Sequence, residues 1–179
     1  MDPALRNWGT AEGLLCLDTG MLDEVKVGIA RTKKGKTKQV RVNSDDLQRC
    51  KDLAELAFEV GERSKVVFIE CPVGSQNASG MKSYGASIGI VACMQTKGIQ
   101  VIEVTAEEVK VALTGNKNAS KADMIAAAFA LYPDAGWNYD KGKLTACNEH
   151  RADAIGAIHA GVLTPAFQQL MSLFKKVSA

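Results

Sequence analysis

No run of apolar residues in this 179-residue chain is long enough to cross a bilayer, because a spanning helix needs about 20 of them in succession. The opening, MDPALRNWG, lacks the charged start and apolar core of a signal peptide. Five cysteines, Cys16, Cys50, Cys71, Cys93 and Cys147, are scattered with no C-x-x-C among them. An odd number of thiols with no export signal points to a reducing compartment, with most of them serving as small core residues. There is no large excess of one charge either. The net charge of +2 is too small to argue for nucleic-acid binding, so only the distribution of charge could do so. Neither an internal repeat nor a long linker divides the chain, which reads as one domain over residues 1–179. Disorder is excluded by a hydrophobic content of 46%, enough for a real core at this length.

What is present reads as alternating strands and helices. Thr10 to Leu17 and Val25 to Ala30 have strand character around a turn at Asp18-Thr19-Gly20, suggesting antiparallel β-structure. Residues 31–41, RTKKGKTKQVR, carry six cations and no acid. That stretch is either a solubilising edge or a phosphate contact. Asp45 to Val60 has helical spacing, with Ser44 as a possible N-cap and Gly61 as a possible stop. Lys65 to Glu70 is a continuously apolar strand ending in an acid. Such a strand is covered on both faces, and its C-terminal end is where α/β sheets place their sites. Met81 to Met94 reads as a helix in which Gly85 and Gly89 allow close packing. Ile99 to Val104 is the next strand, followed by helices over about 106–113 and 121–131. A loop at 133–145 leads to a further helix, and an amphipathic helix at about 165–177 ends the chain.

The helix EHRADAIGAIHAG at 149–161 carries the most chemistry. His150 and Asp153 are three apart and so share a face, ahead of small and apolar residues suited to close packing. A histidine and a carboxylate on such a face suit a metal site, though a helix cap with a surface histidine has the same pattern. Cys147 with His150 makes one C-x-x-H pair, two ligands short of a zinc site.

Five segments, DPALRNWG at 2–9, VVFIE at 66–70, QNASGMKSYGASIGI at 76–90, EVKVALTGNKNASK at 108–121 and HRADAIGAIHAG at 150–161, taken in this order, resemble the RuvC-type Holliday-junction resolvases. The resemblance implies an α/β, ribonuclease H-like fold: a mixed five-stranded sheet, three antiparallel then two parallel strands, flanked by helices. It also implies Mg²⁺ at Asp2, Glu70, His150 and Asp153, with Mn²⁺ able to substitute. Lys110 and Lys121 would lie near the scissile phosphate as catalytic residues. The expected activity is nicking of branched DNA, most simply a four-way junction, by a homodimer in the cytoplasm of a bacterium, in a phage-infected cell or in an organelle. Lys33, Lys34, Lys36 and Lys38, together with Lys110, Lys117 and Lys121, would bind the DNA backbone. Magnesium prefers hard carboxylate oxygens, and two such ions can hold the attacking and leaving oxygens of a phosphodiester.

The chain departs from the resemblance in three places. Ala4 stands where the family has a glycine. Cys71-Pro72-Val73 stands where an aromatic wedge is common. Only Met1 precedes Asp2, where the family has a full central strand, so residues upstream are expected. Asp18, at the end of Leu14-Leu15-Cys16-Leu17, competes with Asp2 for the part of first acid. Two other functions compete with junction cleavage: an RNA-processing nuclease of the same fold, and a junction-binding module with a damaged site.

Overall fold

In a computed structural model, residues 1–33, 44–71, 74 and 77–177 are described. Lys34, Lys36 and Lys38 therefore lie outside the described residues, as do Pro72 and Val73 of the expected wedge region.

The chain opens with a hairpin, β1 (Asn7–Leu15) and β2 (Leu22–Arg31), in which Trp8 faces Ala30 and Thr10 faces Gly28. Helix α1 (Ser44–Arg63) follows, then the short strand β3 (Val67–Glu70), helix α2 (Ala78–Thr96) and strand β4 (Val101–Val104). Strands β3 and β4 run parallel, Phe68 beside Ile102 and Glu70 beside Val104. Helices α3 (Ala106–Thr114) and α4 (Lys121–Leu131) come next. Each opens on a reciprocal cap, Thr105 with Glu108 and Ser120 with Asp123, so their exposed first turns leave fewer amides unsatisfied. A small hairpin, β5 (Tyr139–Asp140) and β6 (Lys143–Leu144), and one 3₁₀ turn precede α5 (Glu149–Gly161) and α6 (Pro165–Val177).

The expected continuous five-stranded sheet is not what forms. Three two-stranded sheets are present among the described residues, and no third antiparallel strand follows β2 before residue 34. The seam between the first two sheets is occupied by residues 1 and 2 alone. Asp2 exchanges two backbone hydrogen bonds with Gly9 of β1, each 2.9 Å. On the other side the Met1 amino group donates to the Phe68 carbonyl at 2.6 Å and the Glu70 amide donates to the Met1 carbonyl at 3.0 Å. Two residues thus carry the ladder that a full central strand would carry, antiparallel to β1 and parallel to β3. Two residues are too few to register as a strand.

Alternate residues of β3 serve two cores. Val67 and Ile69 pack with Trp8, Leu53, Ala57, Ile90 and Met94 beneath α1 and α2, while Phe68 packs with α3, α4, α5 and α6 on the opposite face. That is the physical meaning of its unbroken apolar run. The body of helix α5 is buried on nearly all sides, with Ala152, Ala154, Ile155 and Ala157 fully enclosed, while Glu149, His150, Arg151 and Asp153 stay half-buried towards its N-terminal end. Gly61 does not end α1, which runs on to Arg63. A Cβ on Gly61 would lie 2.8 Å from the Ile99 side chain, so this glycine serves a close approach. Gly85 and Gly89 are the reverse case: both are exposed, with nothing within 4 Å of where a Cβ would stand. The tight packing expected of them is absent within the chain.

Candidate metal centre

Four of the anticipated side chains arrive from three distant stretches. Asp2 sits on the two-residue seam, fixed by its backbone bonds to Gly9. Glu70 ends β3, its amide tied to the Met1 carbonyl. His150 lies in the first turn of α5 and Asp153 at the start of the second. That helix is anchored by Asn148, a fully buried residue whose side chain accepts from the Asn138 amide at 3.0 Å and donates to its carbonyl at 2.8 Å.

The seam and the helix meet at Gly9. A Cβ there would fall 2.0 Å from the His150 carbonyl oxygen, so only glycine lets β1 pass under the first turn of α5. The approach brings the Asp2 carboxylate to 2.5 Å from His150 Nδ1. The other ring nitrogen, Nε2, lies 3.3 Å from Asn7 Nδ2 and 3.5 Å from Glu149 Oε1. The hydrogen bond to Asp2, more than any other influence, raises the His150 pKa above that of a free histidine.

The two remaining acids respond to burial and to the charge of Asp2. Glu70 is pushed up to about 7, first by loss of solvent and then by repulsion from Asp2, with the charges of the Met1 amino group, Lys110 and His150 opposing. Asp153 is also pushed up to about 7, by burial first and then by Asp2 and Glu70. Desolvated carboxylates whose pKa is raised further by a neighbouring carboxylate have more negative charge around them than the fold neutralises. In an α/β fold such groups mark a candidate site.

This donor set fits a hard divalent cation, for which carboxylate oxygens are the preferred ligands. As the side chains are placed, however, no three His, Cys, Asp or Glu groups among the described residues could hold one ion together. The contact with His150 engages one oxygen of Asp2. Asp18 lies in the exposed turn between β1 and β2, away from this cluster. Cys147 is turned to Asn138 Nδ2 at 3.1 Å and Thr145 Oγ1 at 2.8 Å, and is not paired with His150.

The expected cations divide. Lys110, half-buried on α3, is close enough to oppose the rise of the Glu70 pKa. Lys121 Nζ lies 2.6 Å from Glu149 Oε2, and that contact is the main reason its pKa is raised. Lys117 faces Glu107 at 3.8 Å, both exposed. Lys33 is exposed at the end of the described hairpin edge. Sequence reasoning missed Glu149 and Asn7 as members of the site. Glu149 stands next to His150, but adjacent helical residues point to different faces. Asn7 is five residues beyond Asp2, where only folding shows that β1 returns beneath the histidine.

No protein-family model and no curated protein sequence matches the chain. Solved structures do. One, described as "T. thermophilus RuvC in complex with Holliday junction substrate", has a TM-score of 0.62 at 18% identity, covering 96% of this chain and 93% of that one. Another, described as "Thermus thermophilus RuvC structure", has a TM-score of 0.58 at the same identity and coverage. The chain therefore has an α/β fold similar to that of RuvC, and the four candidate residues lie where the seam, the end of β3 and the start of α5 converge.

Proposed function

We propose that this protein is a divalent-metal-dependent, structure-selective endodeoxyribonuclease that nicks branched DNA, with the four-way junction as its substrate. One observation carries the reading: Asp2, Glu70 and Asp153, far apart along the chain, meet in a single half-buried cluster, where the charge of Asp2 helps to raise the pKa of Glu70 and the charges of Asp2 and Glu70 help to raise that of Asp153. The likeness of fold to a RuvC structure bound to a junction supports the choice of substrate.

Asp2, Glu70 and Asp153 would hold Mg²⁺, or Mn²⁺ in its place, with His150 at the fourth position. Bound there, the metal would supply Lewis-acid stabilisation of the phosphate and an acidified water. The chain's own contribution is to position and to exclude. Gly9 and the seam fix Asp2, His150 orients its carboxylate through Nδ1, and Asn7 and Glu149 flank the other ring nitrogen. Lys110 tempers the charge on Glu70. Two copies would present two sites to opposed strands, the exposed glycine face of α2 offering a surface for pairing.

The test is a labelled four-way junction incubated with Mg²⁺ or Mn²⁺, read for which strands are nicked. Glu70→Gln should bind the junction as the parent does and lose cleavage by about 10³-fold or more. Full cleavage by that variant removes Glu70 from the site. Preferential cutting of a labelled RNA stem would instead assign the fold to RNA processing. A second reading, a junction-binding protein that does not cut, draws on the absence among the described residues of three groups placed to share an ion. Tight junction binding without nicking in either metal would favour it.

A further inference from the structure

The proposed substrate is a polyanion, so the distribution of unbalanced positive charge around the centre indicates where its backbone is held. On the α3–α4 flank the charge is largely spent. Lys121 is bound by Glu149, Lys117 faces Glu107, and Lys110 serves Glu70. The opposite flank differs. Arg6, Arg31 and Lys33 are all exposed, and none has an acidic partner among the described residues. The following stretch, residues 34–43, contains no acid at all.

These three cations line one recess, and Arg6 and Lys33 also line its neighbour. A cavity of about 360 Å³ opens between them and the Glu149–His150 corner of the centre. A second, of about 560 Å³, shares Arg6, Thr32 and Lys33 and is closed by residues of α1 and α2. The shared wall is rigidly built. Leu5 donates its amide to Ser83 Oγ at 3.1 Å, and its carbonyl accepts from Arg49 Nη2 at 3.2 Å and from the Thr32 hydroxyl. The Thr32 amide donates to the Arg6 carbonyl at 3.0 Å. Arg49 is buried and also donates to Thr32 Oγ1 at 2.8 Å. The backbone beneath Arg6 and Lys33 is thus held in place before any ligand arrives, which lowers the cost of ordering on binding.

We infer that the recess lined by Arg6, Arg31 and Lys33 is the main grip on the DNA phosphate backbone, leading a strand to the His150 side of the centre, and that the lysines at 117 and 121 contribute less. This rests on the reading of the protein as a junction nuclease. It joins Arg6, which lay outside the cations read from the sequence, to Arg31 and Lys33 at the start of the basic stretch 31–41, and gives that flank precedence over the lysines at 117 and 121.

The test is junction binding in EDTA across a salt series, since each phosphate contact contributes about 0.9 to the slope of log affinity against log salt on duplex DNA. The Arg6→Gln/Arg31→Gln/Lys33→Gln variant should lose roughly 2–3 from that slope and bind at least about tenfold more weakly. Lys117→Gln/Lys121→Gln should lose less than about 1. A charge-keeping Arg6→Lys/Arg31→Lys variant should retain the parent slope, which separates lost charge from lost folding. A parent slope in the glutamine triple, with the loss appearing in the lysine double variant, overturns the inference and leaves the nuclease reading standing. Loss in the triple from a parent that binds but never nicks supports the grip and removes the nuclease reading. No salt-dependent binding by the parent removes both.

Discussion

Helices α2 and α5 look alike on paper and behave as opposites. Each carries a pair of glycines in its body among small and apolar residues, Gly85 and Gly89 in one, beyond Gly80 in its first turn, and Gly156 and Gly161 in the other. In α5 the glycines are contact points. A Cβ on Gly161 would stand 1.9 Å from the Phe68 ring, and one on Gly156 would stand 2.8 Å from Val109. In α2 the same substitution meets open space at both positions. The difference lies in what surrounds each helix. Helix α5 is sandwiched by β1, β3, α3 and α4, so every face must yield room. Helix α2 buries only one face, through Ser87, Ile90, Val91 and Met94. A stripe of small residues says that something comes close only where a second element is already committed to that face.

The sharpest way to break this contrast is Gly161→Ala. Phe68 is held edge-to-face against Phe167 with ring centroids 5.3 Å apart, so its ring has little freedom to withdraw. The methyl should cost about 3 kcal/mol, at the upper end of ordinary overpacking, read as a fall in the urea midpoint at unchanged slope. A cost below about 1 kcal/mol would mean that α5 can slide, and that its N-terminal end is not a fixed platform for His150 and Asp153.

A smaller effect concerns the charge this platform carries. Glu70 and Asp153 have folded-state pKa values raised to about 7, above those of an unfolded chain. Between about pH 4.5 and 7 the native state therefore binds more protons than the unfolded state, and stability falls as pH rises through this window. His150, also raised, acts in the same direction, because its contribution is lost as pH climbs through its folded pKa. The thermal midpoint of metal-free protein should drop from pH 5 to pH 8, and Glu70→Gln should flatten that drop and raise stability at pH 8 by about 1–2 kcal/mol. Added Mg²⁺ should restore the midpoint at pH 8 and do little at pH 5, where the acids hold protons instead. A midpoint that rises with pH would contradict the crowding of these carboxylates.

Much of this architecture could be read in the order of residues. Helix α5 over 149–161 and α4 over 121–131 stand at the bounds read from the sequence, and for α4 the reciprocal cap of Ser120 with Asp123 is a wholly local signal. The pairing of Asp2 with His150 is not local. It depends on a glycine in β1 passing beneath a helix some 140 residues later, and no window of sequence contains both. The failures share that cause. Gly61 reads as a stop, yet the approach of Ile99 decides its role. The join between β1 and β3 runs through backbone hydrogen bonds of Met1 and Asp2, which side-chain patterning does not signal. The partnership of Glu149 with Lys121 was hidden because their separation follows the packing of α4 on α5.

The gentlest test falls on the other helix and bears on assembly. Gly85 and Gly89 occupy exposed positions in the middle of α2, where glycine costs about 1 kcal/mol relative to alanine. With no neighbour to meet, Gly85→Ala and Gly89→Ala should each stabilise a monomer by about 0.5–1 kcal/mol. If two copies pack through this face, the added methyls would stand between them, and the same substitutions should weaken association while still strengthening the isolated helix. Sedimentation across a concentration series, set beside urea unfolding, separates the cases. A rise in stability with no change in mass excludes α2 as the pairing surface. A rise in stability with a shift towards monomer places the contact on this face, and gives two exposed glycines the close neighbour that the single chain does not provide.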